Sequence, residues 1–240
     1  MRRDGREWDA LRPLHIDLAP IRHAEGSAMI TMGHTQVLCA VSVVKQVPRW
    51  MQGRQGGWLT AEYALLPRAT HTRTARSHIS GGRAQEIRRL IGRSLRRAVR
   101  LDLLDGYTLT VDCDVIQADG GTRTAAVNGG YVATALAVHD LVTRELVPAG
   151  TLLPPVSAIS VGIEADQPIL DLAYEEDAHA QVDLNVVMDA AGGFIEVQGT
   201  AEQDPISRGQ LDELLDLAAR GIATVTVAQR EALACTGIEV

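Results

Sequence analysis

The stretch Gln117-Ala118-Asp119-Gly120-Gly121-Thr122-Arg123-Thr124-Ala125-Ala126 constrains this chain more than any other. Before it, Leu109, Val111, Cys113 and Val115 alternate with Thr108, Thr110, Asp112 and Asp114, which predicts a half-buried strand over 107–116. After it, Val127, Tyr131, Thr134, Ala135 and Val138 recur at helical spacing. A strand that turns through paired glycines into a helix brings free N–H groups and the positive end of a helix dipole to one point. Gly120 and Gly121 let the backbone turn tightly and approach a ligand closely. Arg123 adds a planar fork that matches phosphate oxygens. Thr122 and Thr124 add hydroxyls or a helix cap. The segment is not a Walker A loop, because the spacing differs and it has no lysine. The same residues also read as a glycine turn with a surface arginine and a capping threonine, so two readings stand at this level.

Composition narrows the class. With 240 residues, 46% hydrophobic and 22% charged, the chain can bury one large core or two small ones. Aromatics are only 3%, so that core must be built from Val, Leu, Ile and Ala. No apolar run is long enough to span a membrane, and no apolar segment follows Met1-Arg2-Arg3 as in a signal peptide. Three cysteines without metal-type spacing suit a reducing, cytoplasmic setting, with Cys39 and Cys113 expected as inert core residues.

Net charge is −7, which argues against a generic nucleic-acid binder, but the charge is unevenly placed. Arg68, Arg73, Arg76, Arg83, Arg88, Arg89, Arg93, Arg96, Arg97 and Arg100 form a block whose only acid is Glu86. Such a block predicts an anionic partner at one face. In its second half, Ile87, Leu90, Ile91, Leu95 and Ala98 make one apolar helix face with arginines on the other, so that half also reads as a solvated face paired with acids elsewhere. Gly82-Arg83 at the start of this helix is a second anion-binding geometry.

The rest of the chain alternates strands and turns. Strands are expected over Ser27 to Met32 and Thr35 to Val43 around a Gly33-His34 turn, and over Trp58 to Leu66. Residues 1–25 read as polar and turn-rich, with Pro13 and Pro20 against a long helix. Residues 68–83 read as an exposed loop. After a break at 148–155, strands are expected over Val156 to Ile163, Pro168 to Ala173, Val182 to Met188 and Phe194 to Gly199. A helix capped by Ser207 closes the chain to about Ala234. Strands in runs with few long helices indicate an α+β protein. Asp177 and Asp183 could converge on a hard cation such as Mg²⁺, or one could hold a proton for a leaving group. They also read as a solvated acidic turn and an edge-strand aspartate.

The chain resembles the ribonuclease PH family over nearly its whole length. The carriers are His23 to Ser27, Gly33 to Cys39, Gly57 to Tyr63, Leu66-Pro67-Arg68, Gly82-Arg83 with Glu86-Ile87, Cys113 to Ala126, Asp183 to Met188 and Glu196 to Glu202. The resemblance implies an α+β fold of the ribosomal-protein-S5-domain-2-like type, with mixed sheets and packed helices. It implies a single domain over 1–240, with a catalytic core to about residue 150 and a strand and helix part beyond. It implies a cytoplasmic, phosphorolytic 3′→5′ exoribonuclease that trims tRNA precursors with inorganic phosphate, releases nucleoside 5′-diphosphates and runs reversibly. Partners are then the tRNA 3′ end and five further copies in a homohexamer, a trimer of dimers.

By the same resemblance, phosphate is held by Arg83, Gly121, Thr122 and Arg123. Asp177 and Asp183 are the catalytic acids and the Mg²⁺ ligands, and Arg68, Arg73 and Arg76 contact RNA. One departure is Ser77-His78-Ile79-Ser80-Gly81, shorter than the family's usual stretch and lacking its lysine. A non-catalytic RNA-binding ring subunit is the alternative; such subunits lose the phosphate arginines or the acids, which this chain keeps. A small-molecule kinase on the same fold is a third reading, disfavoured by the absence of a longer glycine-serine phosphate loop.

Overall fold

The computed structural model describes residues 2–76 and 81–240. The short stretch singled out above therefore lies, at Ser77, His78, Ile79 and Ser80, outside the described residues. The chain builds two sheets around buried helices. The first sheet has five strands in the order β1-β2-β3-β5-β4: β1 (Leu14–Leu18), β2 (Gly26–Met32), β3 (Thr35–Val44), β4 (Trp58–Leu65) and β5 (Thr108–Gln117). The second has four in the order β7-β6-β8-β9: β6 (Val156–Glu164), β7 (Gln167–Leu170), β8 (Val182–Asp189) and β9 (Phe194–Ala201). Among the described residues, only β4 and β5 pair in parallel. Parallel neighbours need a crossover, and α1 (Gly82–Leu95) provides it.

The glycine loop leads into α2 (Thr122–Thr143), as the periodicity predicts. This helix is apolar nearly all round, which marks a core helix rather than a surface one. It packs against β2, β3 and β5 of the first sheet and β6 of the second. Asn128, fully buried in it, both donates to and accepts from the Ala158 backbone, at 2.9 and 2.7 Å. Gln229 of α4 (Arg208–Ala234) donates to the carbonyls of Asn128 and Val156 and accepts from Ser157 Oγ. A buried polar group must be paired, so these bonds fix how the two halves of the chain meet.

Several outcomes differ from the sequence reading. β1 was not anticipated; Pro13 and Pro20 bracket it rather than break it, positions where no ladder N–H is lost. The run Tyr174–Asp177 is a single helical turn, α3. β8 lies inside its sheet between β6 and β9, so Asp183 is not an edge-strand residue. Ser207 caps α4 as expected, accepting from Gln210 N. A side chain at Gly221 would come within 2.6 Å of Leu170, so that glycine serves close packing. Cys39 and Cys113 are buried neighbours on β3 and β5. Among the described residues, no helix is long and apolar enough to cross a membrane.

Candidate active site

The glycine loop is braced from three sides. Gly120 and Gly121 both adopt positive φ, at 73° and 63°, where other residues are strained. Thr35 Oγ1 donates to the Gly120 carbonyl at 2.6 Å and accepts from Asp119 N at 2.9 Å. Arg12, itself paired with buried Asp171 at 2.7 Å, donates to the Asp119 carbonyl. A methyl group at Gly120 would lie 2.5 Å from the Leu172 carbonyl oxygen and 2.7 to 2.8 Å from the Ala173 and Tyr174 backbone. The loop is thus pressed against the segment that carries Asp177. Gly120→Ala should force these apart, lowering stability by about 1–3 kcal/mol and weakening any activity that needs both segments. A melting temperature equal to wild type would contradict this contact.

The start of α2 carries no side-chain cap. Thr124 Oγ1 donates back to the Gly121 carbonyl at 2.9 Å, and the Thr122 hydroxyl meets buried Tyr63 OH at 2.8 Å. The threonines expected as possible caps therefore leave the first N–H groups of the helix unbonded by side chains, as an anion site requires. α1 likewise starts at Gly82-Arg83 with no side-chain cap among the described residues. Arg83 is exposed and makes no ion pair or hydrogen bond among the described residues. Arg123 Nη1 donates to Gln198 Oε1 at 2.8 Å and to Glu86 Oε1 at 3.4 Å.

Asp177 and Asp183 lie within electrostatic reach of Arg83 and Arg123. Burial and the neighbouring Asp177 carboxylate push Asp183 up to about 6, against the opposing pull of Arg123, Asn185 and Arg83. Asp177 is also raised, by burial and by Glu202, with Arg83 and Arg123 opposing. Asn185 Nδ2 donates to Asp183 Oδ2 at 3.3 Å. Two carboxylates raised by burial, within reach of two arginines and of the uncapped helix start that carries Arg123, are arranged to handle an anion and a proton together. No group of three or more His, Cys, Asp or Glu that could hold a metal is found among the described residues. Any cation here would take two protein carboxylates and draw its other ligands from water and substrate, which suits Mg²⁺.

Arg68, Arg73 and Arg76 are all exposed on the loop after β4. Arg68 bonds its own loop at the His71 carbonyl, 2.7 Å away, and Arg73 and Arg76 have no ion pair among the described residues. The loop adjoins the site: Ala118 N donates to the Ala69 carbonyl at 2.8 Å, and the His71 ring lies 5.9 Å from that of Tyr174. The helical half of the arginine block behaves differently. Arg88 pairs with Glu62, Arg93 with Glu196, Arg100 with Asp102, and Arg96 covers the Trp58 ring at 4.7 Å. Four arginines of that half are thus held by acids elsewhere or by an aromatic ring, as the solvated, paired face would have them. Arg88, Arg89, Arg93 and Arg96 also line, with Trp58, a cleft of about 440 Å³.

Sequence reasoning gave no role to Tyr63, Asn185, Gln198 or Glu86 in the site. Glu86 carried one signal, being the lone acid among ten arginines and one helical turn after Arg83.

Known proteins share this architecture. Rice (Oryza sativa) Rrp46 superposes with a TM-score of 0.80 at 22% identity, covering 97% of this chain and 100% of its own. An archaeal exosome core gives 0.76 at 21% identity over 95% of this chain and 90% of its own. The Archaeoglobus fulgidus exosome with RNA bound to the active site gives 0.75 at 24% identity, over 93% and 91%. These superpositions establish the fold alone. The 3′ exoribonuclease family provides the assignment: its domain 1 matches residues 10–139 and its domain 2 residues 154–221. On that match, and with the two-sheet α+β fold that accompanies it, this chain belongs to the RNase PH family of 3′ exoribonucleases.

Proposed function

We propose that this protein is a phosphorolytic 3′→5′ exoribonuclease acting on tRNA precursors and other structured RNA, working in the cytoplasm as a homohexameric ring. The observation that carries the reading is the meeting of Arg83, Arg123 and the uncapped start of α2 with the acids Asp177 and Asp183. Arg83, Arg123 and the N–H groups at Gly121 and Thr122 hold inorganic phosphate. One phosphate oxygen forms a bond to the phosphorus of the last nucleotide. The bond from that phosphorus to the preceding 3′ oxygen breaks, and a nucleoside 5′-diphosphate is released. Asp183, pushed up to about 6, supplies the proton that the departing oxygen takes up. Nucleophile and diester are both anionic, so arginine neutralisation and alignment carry much of the rate. The alternative to that proton is Mg²⁺, which Asp177 and ionised Asp183 would hold and which when bound would supply Lewis acidity in its place. Arg68, Arg73 and Arg76 follow the RNA backbone at the mouth of the site.

A second reading is favoured by a specific observation: the structural relatives above include subunits of exosome cores, where this chain's counterpart would be an RNA-binding ring component. Incubating the purified chain with a 3′-extended tRNA, with and without inorganic phosphate, separates the two. The enzyme reading expects shortening only with phosphate, and nucleotide addition when diphosphates are supplied instead. A chain that binds RNA but never changes its length under either condition is the ring component.

A further inference from the structure

Three elements meet at Arg123. Its Nη1 donates to Gln198 of β9 at 2.8 Å and to Glu86 of α1 at 3.4 Å. Gln198 Nε2 closes the triangle by donating to Glu86 Oε1 at 2.8 Å. Nε and Nη2 of Arg123 make no hydrogen bond among the described residues. One corner of the guanidinium is therefore fixed and the opposite edge is left free. The register of the second sheet extends the arrangement: Gln198 lies directly across from Asn185, whose amide donates to Asp183. Opposed residues of an antiparallel pair share a face. Gln198, which holds the arginine, and the Asp183 carboxylate thus lie on the same face of the β8–β9 ladder.

We propose that Glu86 and Gln198 are positioning residues for Arg123, locking its guanidinium so that the free edge takes up a phosphate-sized anion beside Asp183. The proposal rests on the phosphorolytic reading and adds to it the device that prepares the site. A long arginine side chain loses rotamer freedom when it grips an anion. Here that loss is already incurred in the folded chain, because two acceptors hold Nη1 before any ligand arrives. The geometry also gives Gln198 a reason to be neutral: its amide must accept from Arg123 with one end and donate to Glu86 with the other, which a carboxylate cannot do.

The proposal makes an unusual sign prediction for Glu86. If this carboxylate acted on the anion through its charge alone, removing it would tighten phosphate binding. If it acts by holding Arg123, Glu86→Ala should loosen binding. The experiment is calorimetric titration of inorganic phosphate into the full-length chain, paired with KM for phosphate and KM for RNA. Glu86→Ala and Gln198→Ala should each weaken phosphate about tenfold while the KM for RNA stays near wild type. Glu86→Gln keeps an acceptor for Arg123 and Gln198, so it should bind phosphate as well as wild type or better. Thermal melts check that each variant is folded. Tighter phosphate binding by Glu86→Ala, or a Glu86→Gln variant as weak as Glu86→Ala, overturns the proposal. A wild-type chain that binds no phosphate overturns both this inference and the function it rests on. Wild-type binding with unchanged variants overturns this inference alone.

Discussion

Asp183→Asn is expected to slow phosphorolysis by about 10²–10⁴-fold, the range for loss of a general acid, and at the same time to make the folded protein more stable at neutral pH. The stability sign follows from the direction of the shift. Burial and Asp177 raise the Asp183 carboxyl from its ordinary 3.8 to about 6 in the folded chain. A group raised in this way contributes stability that is full below the unfolded value and is lost as pH rises through the folded one. Asparagine stays neutral throughout. The variant should therefore match wild type below about pH 4 and exceed it increasingly up to about pH 6–7, by at most about 3 kcal/mol. For a chain of this size that is several degrees of melting temperature, at about 2–4 °C per kcal/mol. Melting curves from pH 4 to 8 in the presence of a chelator, beside turnover assays, check both halves. A destabilised variant at pH 8 would mean that Asp183 is held for structure.

Arg123→Ala should raise the phosphate requirement and lower the maximal rate with tRNA binding nearly kept. Losing one charged hydrogen-bonding partner to an anion is worth about 1.5–3 kcal/mol, one to two decades in affinity. Replacing Arg73 and Arg76 together should act on the other substrate, weakening tRNA binding and flattening its salt dependence. The difference lies in setting. Arg123 is held at one nitrogen by Gln198 and Glu86 in the first turn of a buried helix. Arg73 and Arg76 are exposed on a loop with no ion pair among the described residues, a setting suited to following an extended backbone. Kinetics varying phosphate and tRNA separately decide it. Loss of phosphate affinity in the loop variant with loss of tRNA affinity in Arg123→Ala would reverse the assignment.

The strands and long helices were legible because one physical rule generated each. Alternation over Leu109 to Val115 gave β5, and 3.6-residue spacing through Val127 and Val138 gave α2, within one to five residues at their ends. β1 was hidden because Pro13 and Pro20 suppress a strand reading unless their position just outside it is known. The anion site was legible where its parts are contiguous, as in Gly121-Thr122-Arg123. Its supports were not. Glu86 and Gln198 are 112 positions apart, and Arg12 and Asp171 are 159 apart. Nothing local in the sequence signals that a glutamine on β9 and a glutamate on α1 share one arginine. The place of Asp183 was misjudged for the same reason, since only sheet order shows that β8 is covered on both sides.

The central claim is that phosphate, not water, cleaves the RNA. The most direct measurement is to supply radiolabelled inorganic phosphate with an unlabelled 3′-extended tRNA and to identify the labelled nucleotide. The account predicts label in nucleoside 5′-diphosphates, located entirely at the β-phosphate, with no release when phosphate is omitted. Unlabelled nucleoside monophosphates, released equally well without phosphate, would contradict it.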